Sequence, residues 1–512
     1  MGRWQLLRVT TVIGALWLPA QAWGLKTTLA GRALELDGYV EGREVFEENR
    51  ATSHDRTQQT LRLRAAAEVT SWLRLDATTV GSNGGPTFKA TKAGTFNLDD
   101  VFQDVSPAVE FEEAYLDARL DRFDLRLGKQ KVAWGKLDRT QPNDLINPER
   151  FADPFLQEED ERKIGVPAVQ ASYYLPAADW LPQEMRFTAV WAPFYVPFRF
   201  PEVGERWFPP TLTTTQEFFI PAGLVTLPGG QPLPVPIRVP VSFRAANSRT
   251  PALRFDNGDW GVRLAGIAGE ADVALYYYHG FDVQPCFGLS AEAFAHPPAD
   301  PRNPLGFDIT ATTTLTPAFR QIDSWGADAA YPIGPFTIRA EGAYISGRPF
   351  NRDLRLLITD PRVLGPQIEQ GLAAFLNGAT RVPIDLGASF VTRDAVEWGM
   401  GADYSSNGYL LLLQLNQTDV LHNDAALLIK DVETRLLANV RKNFFNDDLQ
   451  AQLIAVYGAS SDYSVVLPRL TYRLTDALDV RLGYLFIAGR RSSVGGQYRR
   501  NDEGFVRLRY SF

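Results

Sequence analysis

The stretch Leu61-Arg62-Leu63-Arg64-Ala65-Ala66-Ala67-Glu68-Val69 decides how the rest of the chain is read. Its odd positions are apolar, while Arg62, Arg64 and Glu68 fall on even ones. Successive side chains of an extended strand point to opposite faces, so this is a strand with one apolar and one charged face. A helix would need its apolar residues three and four apart instead.

The same alternation recurs along the chain. In Ser71–Val80, Leu73 and Leu75 oppose Arg74 and Asp76; in Phe123–Gly128, Leu125 and Leu127 oppose Asp124 and Arg126. Phe336, Ile338 and Ala340 oppose Arg339 and Glu341, and Val432, Leu436 and Val440 oppose Glu433 and Arg435. Working outward gives strands over 33–46, 57–69, 71–80, 109–120, 123–131, 165–176, 184–194, 259–268 and 270–281. The second half supplies 320–331, 335–346, 394–404, 407–417, 431–442, 447–458, 463–474, 478–489 and 502–512.

Connections between these strands are unequal. Asp121-Arg122, Gly269-Glu270, Ser405-Ser406-Asn407-Gly408, Asn446-Asp447 and Thr475-Asp476-Ala477 have hairpin composition and length. They alternate with long segments at 81–108, 132–164, 195–258, 282–319 and 346–393. About eighteen strands (range 16–20), short turns on one side and long loops on the other, predict an all-β, transmembrane antiparallel β-barrel. The bilayer demands this solution, because a closed sheet leaves no unpaired backbone edge in lipid. A periplasmic sandwich or propeller also alternates, but its loops are of similar length at both ends.

Composition fits once the period is known. Of 512 residues 45% are hydrophobic and 22% charged, which excludes disorder, and no apolar run after residue 22 is long enough for a spanning helix. Only every second strand residue has to meet lipid. Arg3 and Arg8, the apolar stretch Val9–Leu18 and Ala20-Gln21-Ala22 read as a cleaved signal peptide over 1–22, leaving 23–512 as a single outer-membrane barrel domain. Net charge is −8 with no basic tract, so nucleic acid is not an expected partner. One cysteine, Cys286, falls in an expected surface loop, and His54, His279, His296 and His422 show no ligand spacing. Neither a metal site nor a cofactor is expected, and no nucleophile motif points to an enzyme.

The charged strand faces gather the candidate pore-lining residues. The bases are Arg62, Arg64, Arg74, Arg119, Arg126, Arg339, Arg435, Arg469, Arg473, Arg481, Arg507 and Arg509. Acids on the same faces include Asp76, Asp117, Asp124, Glu341 and Glu433. Such a lumen is braced by ion pairs between neighbouring strands, or forms a path with a weak preference for polar or anionic solutes. Two loops either close it or pack on the outer rim and shield the barrel top: 193–251, with twelve prolines, and 366–377, where Ile368, Leu372, Phe375 and Leu376 share a helical face. The run Gln157-Glu158-Glu159-Asp160-Glu161 reads as a solvated charge run, or as a site for divalent cations or a bridge to lipopolysaccharide.

Two stretches carry a family resemblance. Gly128, Lys129, Gln130, Trp134, Gly135, Asn147 and Pro148 form a G-K-Q…W-G…N-P stretch at the end of an early strand. It resembles the porin-like outer-membrane barrels of Gram-negative bacteria related to the alginate-export type. The resemblance implies eighteen strands with loops folded over or into the lumen. The closing residues Val506, Leu508, Tyr510 and Phe512 resemble the signal by which the barrel-assembly machinery recognises its clients. The expected function is a channel for passive diffusion or export of polar or weakly anionic solutes, with outer-membrane lipids and lipopolysaccharide around it. A structural or docking barrel of an envelope complex is the alternative.

Overall fold

The computed structural model describes residues 25–512 except 30, 49–55, 85–107, 152, 179–180, 202–204, 210–215, 221, 224–231, 233–235, 247–249, 301–302, 304, 354–360, 386 and 492. The expected signal peptide over 1–22 lies outside the described residues.

The alternating segments form one closed antiparallel barrel of eighteen strands. In chain order these are β2 (Arg32–Glu47), β3 (Arg56–Glu68), β4 (Leu73–Asn83), β5 (Ala108–Leu120), β6 (Phe123–Gln130), β7 (Val166–Tyr174), β8 (Gln183–Ala192), β11 (Asp259–Ala268) and β12 (Ala271–Phe281). They continue with β15 (Gln321–Ile333), β16 (Phe336–Asn351), β18 (Phe390–Ser406), β19 (Tyr409–Val420), β20 (Val432–Phe444), β21 (Leu449–Gly458), β22 (Tyr463–Arg473), β23 (Leu478–Gly489) and β24 (Glu503–Ser511). Each pairs with the next, and β24 closes on β2 from Tyr39 opposite Ser511 to Glu47 opposite Glu503. A nineteenth strand, β1 (Leu25–Leu29), folds back on the start of β2. No alternation in the sequence announced it.

The turns explain the register. Asn407 and Gly408 both take positive φ (50° and 73°), as a two-residue hairpin that follows the right-handed strand twist requires. Outward-facing Leu275 and Leu413 are 61% and 64% exposed. In water such a belt would be a large uncovered apolar patch; in a bilayer it is the lipid contact.

Five further strands correct the reading of the long loops as strand-free. These are β9 (Gln216–Ile220), β10 (Ile237–Ala245), β13 (Cys286–His296), β14 (Asp308–Ala318) and β17 (Arg381–Ile384). They build a second sheet in the order β17-β13-β14-β10-β9, drawn from three different loops. The expected helix runs over Pro361–Leu376 rather than 366–377, and is α2 here, after the short α1 (Glu159–Arg162). Its Leu372 and Phe375 pack with Ile237, Val239 and Ile309 of that sheet, while Leu376 is exposed. The helix therefore belongs to the second sheet's core. Cys286 is likewise no surface-loop residue: it is fully buried at the start of β13, its thiol donating to the Ala318 carbonyl.

Candidate functional site: a segment across the barrel lumen

Faces opposite the apolar belt carry the charged residues, and most of them are paired. Arg64 meets Asp76 at 2.5 Å and Asp37 at 3.3 Å, and Arg74 meets Glu35 at 3.0 Å. Arg62 meets Glu112 at 2.8 Å, and Asp117 lies 3.5 Å from Arg126 and 3.4 Å from the exposed Arg119. Arg507 pairs with Asp479 at 2.7 Å, and Arg509 with Glu41 at 2.6 Å. Arg339 pairs with Asp403, Asp124 accepts from the Tyr174 hydroxyl, and Glu433 accepts from Ser461. Arg473 is exposed at the short-turn end of β22, and the Nε of Arg435 is buried without an acceptor. The wall is laced, as two charges on facing strands allow.

Residues 131–164, between β6 and β7, do not stand outside the barrel. Their side chains and amides touch strands all round it, which only a segment inside the lumen can do. Near its start, Lys136 reaches Asp272 of β12 at 3.0 Å and Asp328 of β15 at 2.7 Å. Glu341 of β16 accepts hydrogen bonds from the backbone N–H groups of Lys136, Leu137 and Asn143. Arg339 donates to Asp138 at 3.1 Å, while Gln414 and Asn416 of β19 donate to the carbonyls of Asp138 and Thr140. Further along, Asp153 pairs with Arg56 of β3, Glu158 with Arg469 of β22 and Arg481 of β23, and Glu161 with Arg509 of β24. We call this segment the strap.

The strap sharpens the reading of the acidic run. The acidic run is not solvated throughout: Glu158 and Glu161 dock the strap on Arg469, Arg481 and Arg509, while Asp160 stays exposed. The helix expected over 366–377 packs on the second sheet and not against the strap. From the proline-rich loop, Arg206 pairs with Glu47 and Glu503, and the buried Trp207 ring lies tilted against Phe155 and Tyr498.

The G-K-Q…W-G…N-P residues are the device that turns the chain inward. Gly128 has φ +136°, and a Cβ there would stand 2.3 Å from the Ala114 carbonyl oxygen, so only glycine fits. Lys129 and Gln130 are buried, and Gln130 donates to the Ala168 carbonyl at 2.9 Å. Asn147 ties both ends of the strap together: its amide donates to the carbonyls of Gln130 and Ile164, and its oxygen accepts from Val132 N–H. The Pro148 carbonyl accepts from Ile164 N–H. Trp134 lies 5.5 Å from the Tyr276 ring, inside an apolar cluster with Val132, Ile146, Ile322 and Ile345. Gly135 abuts the Glu341 carboxylate.

Burial and charge tune the strap's acids in opposite directions. Burial pushes the Asp144 carboxyl up to about 7, against the pull of the neighbouring Lys163 ammonium. Burial also acts to raise Glu158, but Arg469 and Arg481 outweigh it and hold that carboxyl below its ordinary value.

Sequence reasoning missed Asp138, Glu158, Glu161, Gln414 and Asn416 as contact residues. A signal existed for Glu158 and Glu161: the excess of arginine on β22–β24 needed counter-charges from outside those strands.

A closed eighteen-stranded barrel with an apolar belt outside and charge inside is the architecture of a porin-like outer-membrane barrel. The chain belongs to the family described as "Protein of unknown function (DUF1302)", whose model matches residues 73–512. No curated protein gives a significant match. Among solved structures, OpdK of Pseudomonas aeruginosa with vanillate is similar at 8% identity and TM-score 0.46, covering 94% of this chain and 98% of that one. OccK8 (OprE) of the same organism gives 9% and 0.45 with 94% and 98% coverage. OmpF of Salmonella typhi, in complex with daunomycin, gives 10% and 0.38 with 95% and 100%. At these identities the likeness concerns the fold alone. The porin-like expectation holds; its narrower part, kinship with the alginate-export type, finds no support in these matches.

Proposed function

We propose that the protein is an outer-membrane channel for passive movement of small polar or weakly anionic solutes, narrowed by the strap. The observation that carries this is solvation of the inner wall: the side chains of Arg64, Arg74 and Arg126 stay 33%, 31% and 28% exposed on the face away from lipid. Charged side chains keep that exposure only beside water, and a barrel of this strand number is wide enough to hold it. The pore-lining residues named from the sequence form the mixed-charge wall of the path, and the strap sets its width. Export across the inner membrane by a cleaved signal peptide, and recognition of Val506, Leu508, Tyr510 and Phe512 during assembly, belong to the same reading.

Reconstitution in a planar bilayer tests it. Discrete current steps support the channel, and a folded barrel that stays silent contradicts it. One observation favours the second reading, a docking barrel: the β17-β13-β14-β10-β9 sheet at the loop end has two short outer strands, β17 and β9, whose far edges pair with nothing among the described residues.

A further inference from the structure

We propose that the lumen contains a binding site for an amphipathic carboxylate, and that Leu156 and Glu158 of the strap fill it as an internal stand-in. The inference deepens the channel reading and rests on it.

The first observation is a row of like charges. Arg43 of β2 stands directly opposite Arg507 of β24, and Arg507 directly opposite Arg481 of β23. Like charges directly opposite one another destabilise a sheet, so three in a row are tolerated only with anions among them. Wall acids supply part of this: Glu41 for Arg43 at 2.8 Å and Asp479 for Arg507 at 2.7 Å. Arg481 relies on the strap, since Glu158 Oε1 accepts from it and from Arg469 of β22, each at 2.8 Å.

The second is unused donor capacity. The side chains of Arg43, Arg469 and Arg507 are only 7%, 2% and 4% exposed, yet the Nε of each has no hydrogen-bond acceptor. A buried donor without an acceptor is costly, and a carboxylate is the group whose two oxygens match the guanidinium fork.

The third is the apolar surface beside these arginines on the same strands. Val45, Leu467, Leu485 and Phe505 are buried on the inner wall, and Leu156 packs into that cluster. Leu156 and Glu158, two residues apart, therefore present the apolar body and the carboxylate of an amphipathic acid. The Glu158 side chain is 42% exposed whereas Glu41 is 5% exposed, so Glu158 is the partner that exchanges.

The test is isothermal titration of octanoate into the full-length protein in nanodiscs, with empty nanodiscs subtracted and acetate and octanol as comparison probes. Octanoate binds the wild type, and binds Glu158→Gln about tenfold tighter, because the internal competitor is weakened. Arg507→Gln weakens octanoate binding by about tenfold or more; Arg43→Gln, on a different strand, does the same if the first variant fails to fold. Equal octanoate affinity in wild type and Glu158→Gln overturns the proposal, as does acetate or octanol binding as tightly as octanoate. A barrel that conducts in a bilayer but takes up no octanoate overturns the site and leaves the channel. Octanoate binding with the expected variant pattern, in a barrel that never conducts, supports the site and overturns the channel.

Discussion

Glu158 Oε1 accepts a hydrogen bond from Arg481 Nη1 at 2.8 Å, although 323 residues separate the two in sequence. The contact joins a segment leaving the wall at β6 to strands on the other side of the barrel. Contacts of this kind hold the strap against strands distant from β6.

Glu341→Ala should release the first half of the strap. The carboxylate accepts from three backbone N–H groups, and each buried amide left without an acceptor costs about 1–3 kcal/mol. The barrel ladder does not depend on that side chain, so thermal unfolding of the barrel should change little. Single-channel recordings should show larger conductance and more open-state noise.

Gly135→Ala should act on the same contact from the other side. Gly135 has φ +93°, and a Cβ there would lie 2.7 Å from both Glu341 carboxylate oxygens. Backbone strain of about 1 kcal/mol or more adds to the clash. A conductance close to that of Glu341→Ala is expected; a wild-type trace would show that the contact does not hold the strap.

The pH dependence has a definite sign. Glu158 has a lowered carboxyl pKa, so its contribution is present above the ordinary glutamate value of about 4.3 and is lost as pH falls through the folded value. Asp144, raised to about 7, behaves oppositely: the folded strap takes up its proton first, which favours the docked state as pH falls from about 7 toward 4. Conductance recorded between pH 8 and 5 should therefore stay flat and rise only below about 4. Glu158→Gln should abolish the acid step.

Removing α2 should leave conductance unchanged. Leu372 and Phe375 serve the core of the second sheet, so Leu372→Ala costs about 2–5 kcal/mol there. Protease sensitivity of the loops should increase while bilayer current does not.

Legibility followed the strength of the physical constraint on each residue. All eighteen barrel strands were readable because lipid forces alternation at positions such as Leu61, Leu63, Leu125 and Leu127. Short turns were readable because Asn407-Gly408 has few alternatives. The β14 alternation of Ile309, Ala311, Thr313 and Leu315 is as regular, but its faces meet protein and solvent, and it lay inside what counted as one long loop. The strap was opaque for another reason. Its direction depends on Asn147 bridging Gln130 to Ile164 and on charges of β22–β24, and no local period records such contacts. Gly128, Trp134 and Gly135 stood out as distinctive, yet their shared task became visible only with their partners in place.

The most direct test of the central claim is the single-channel conductance of the protein beside a variant in which residues 137–144 are replaced by a Gly-Ser linker of equal length. A lumen narrowed by the strap predicts that both conduct and that the variant carries the larger current. Equal currents, or silence from both folded barrels, would contradict it.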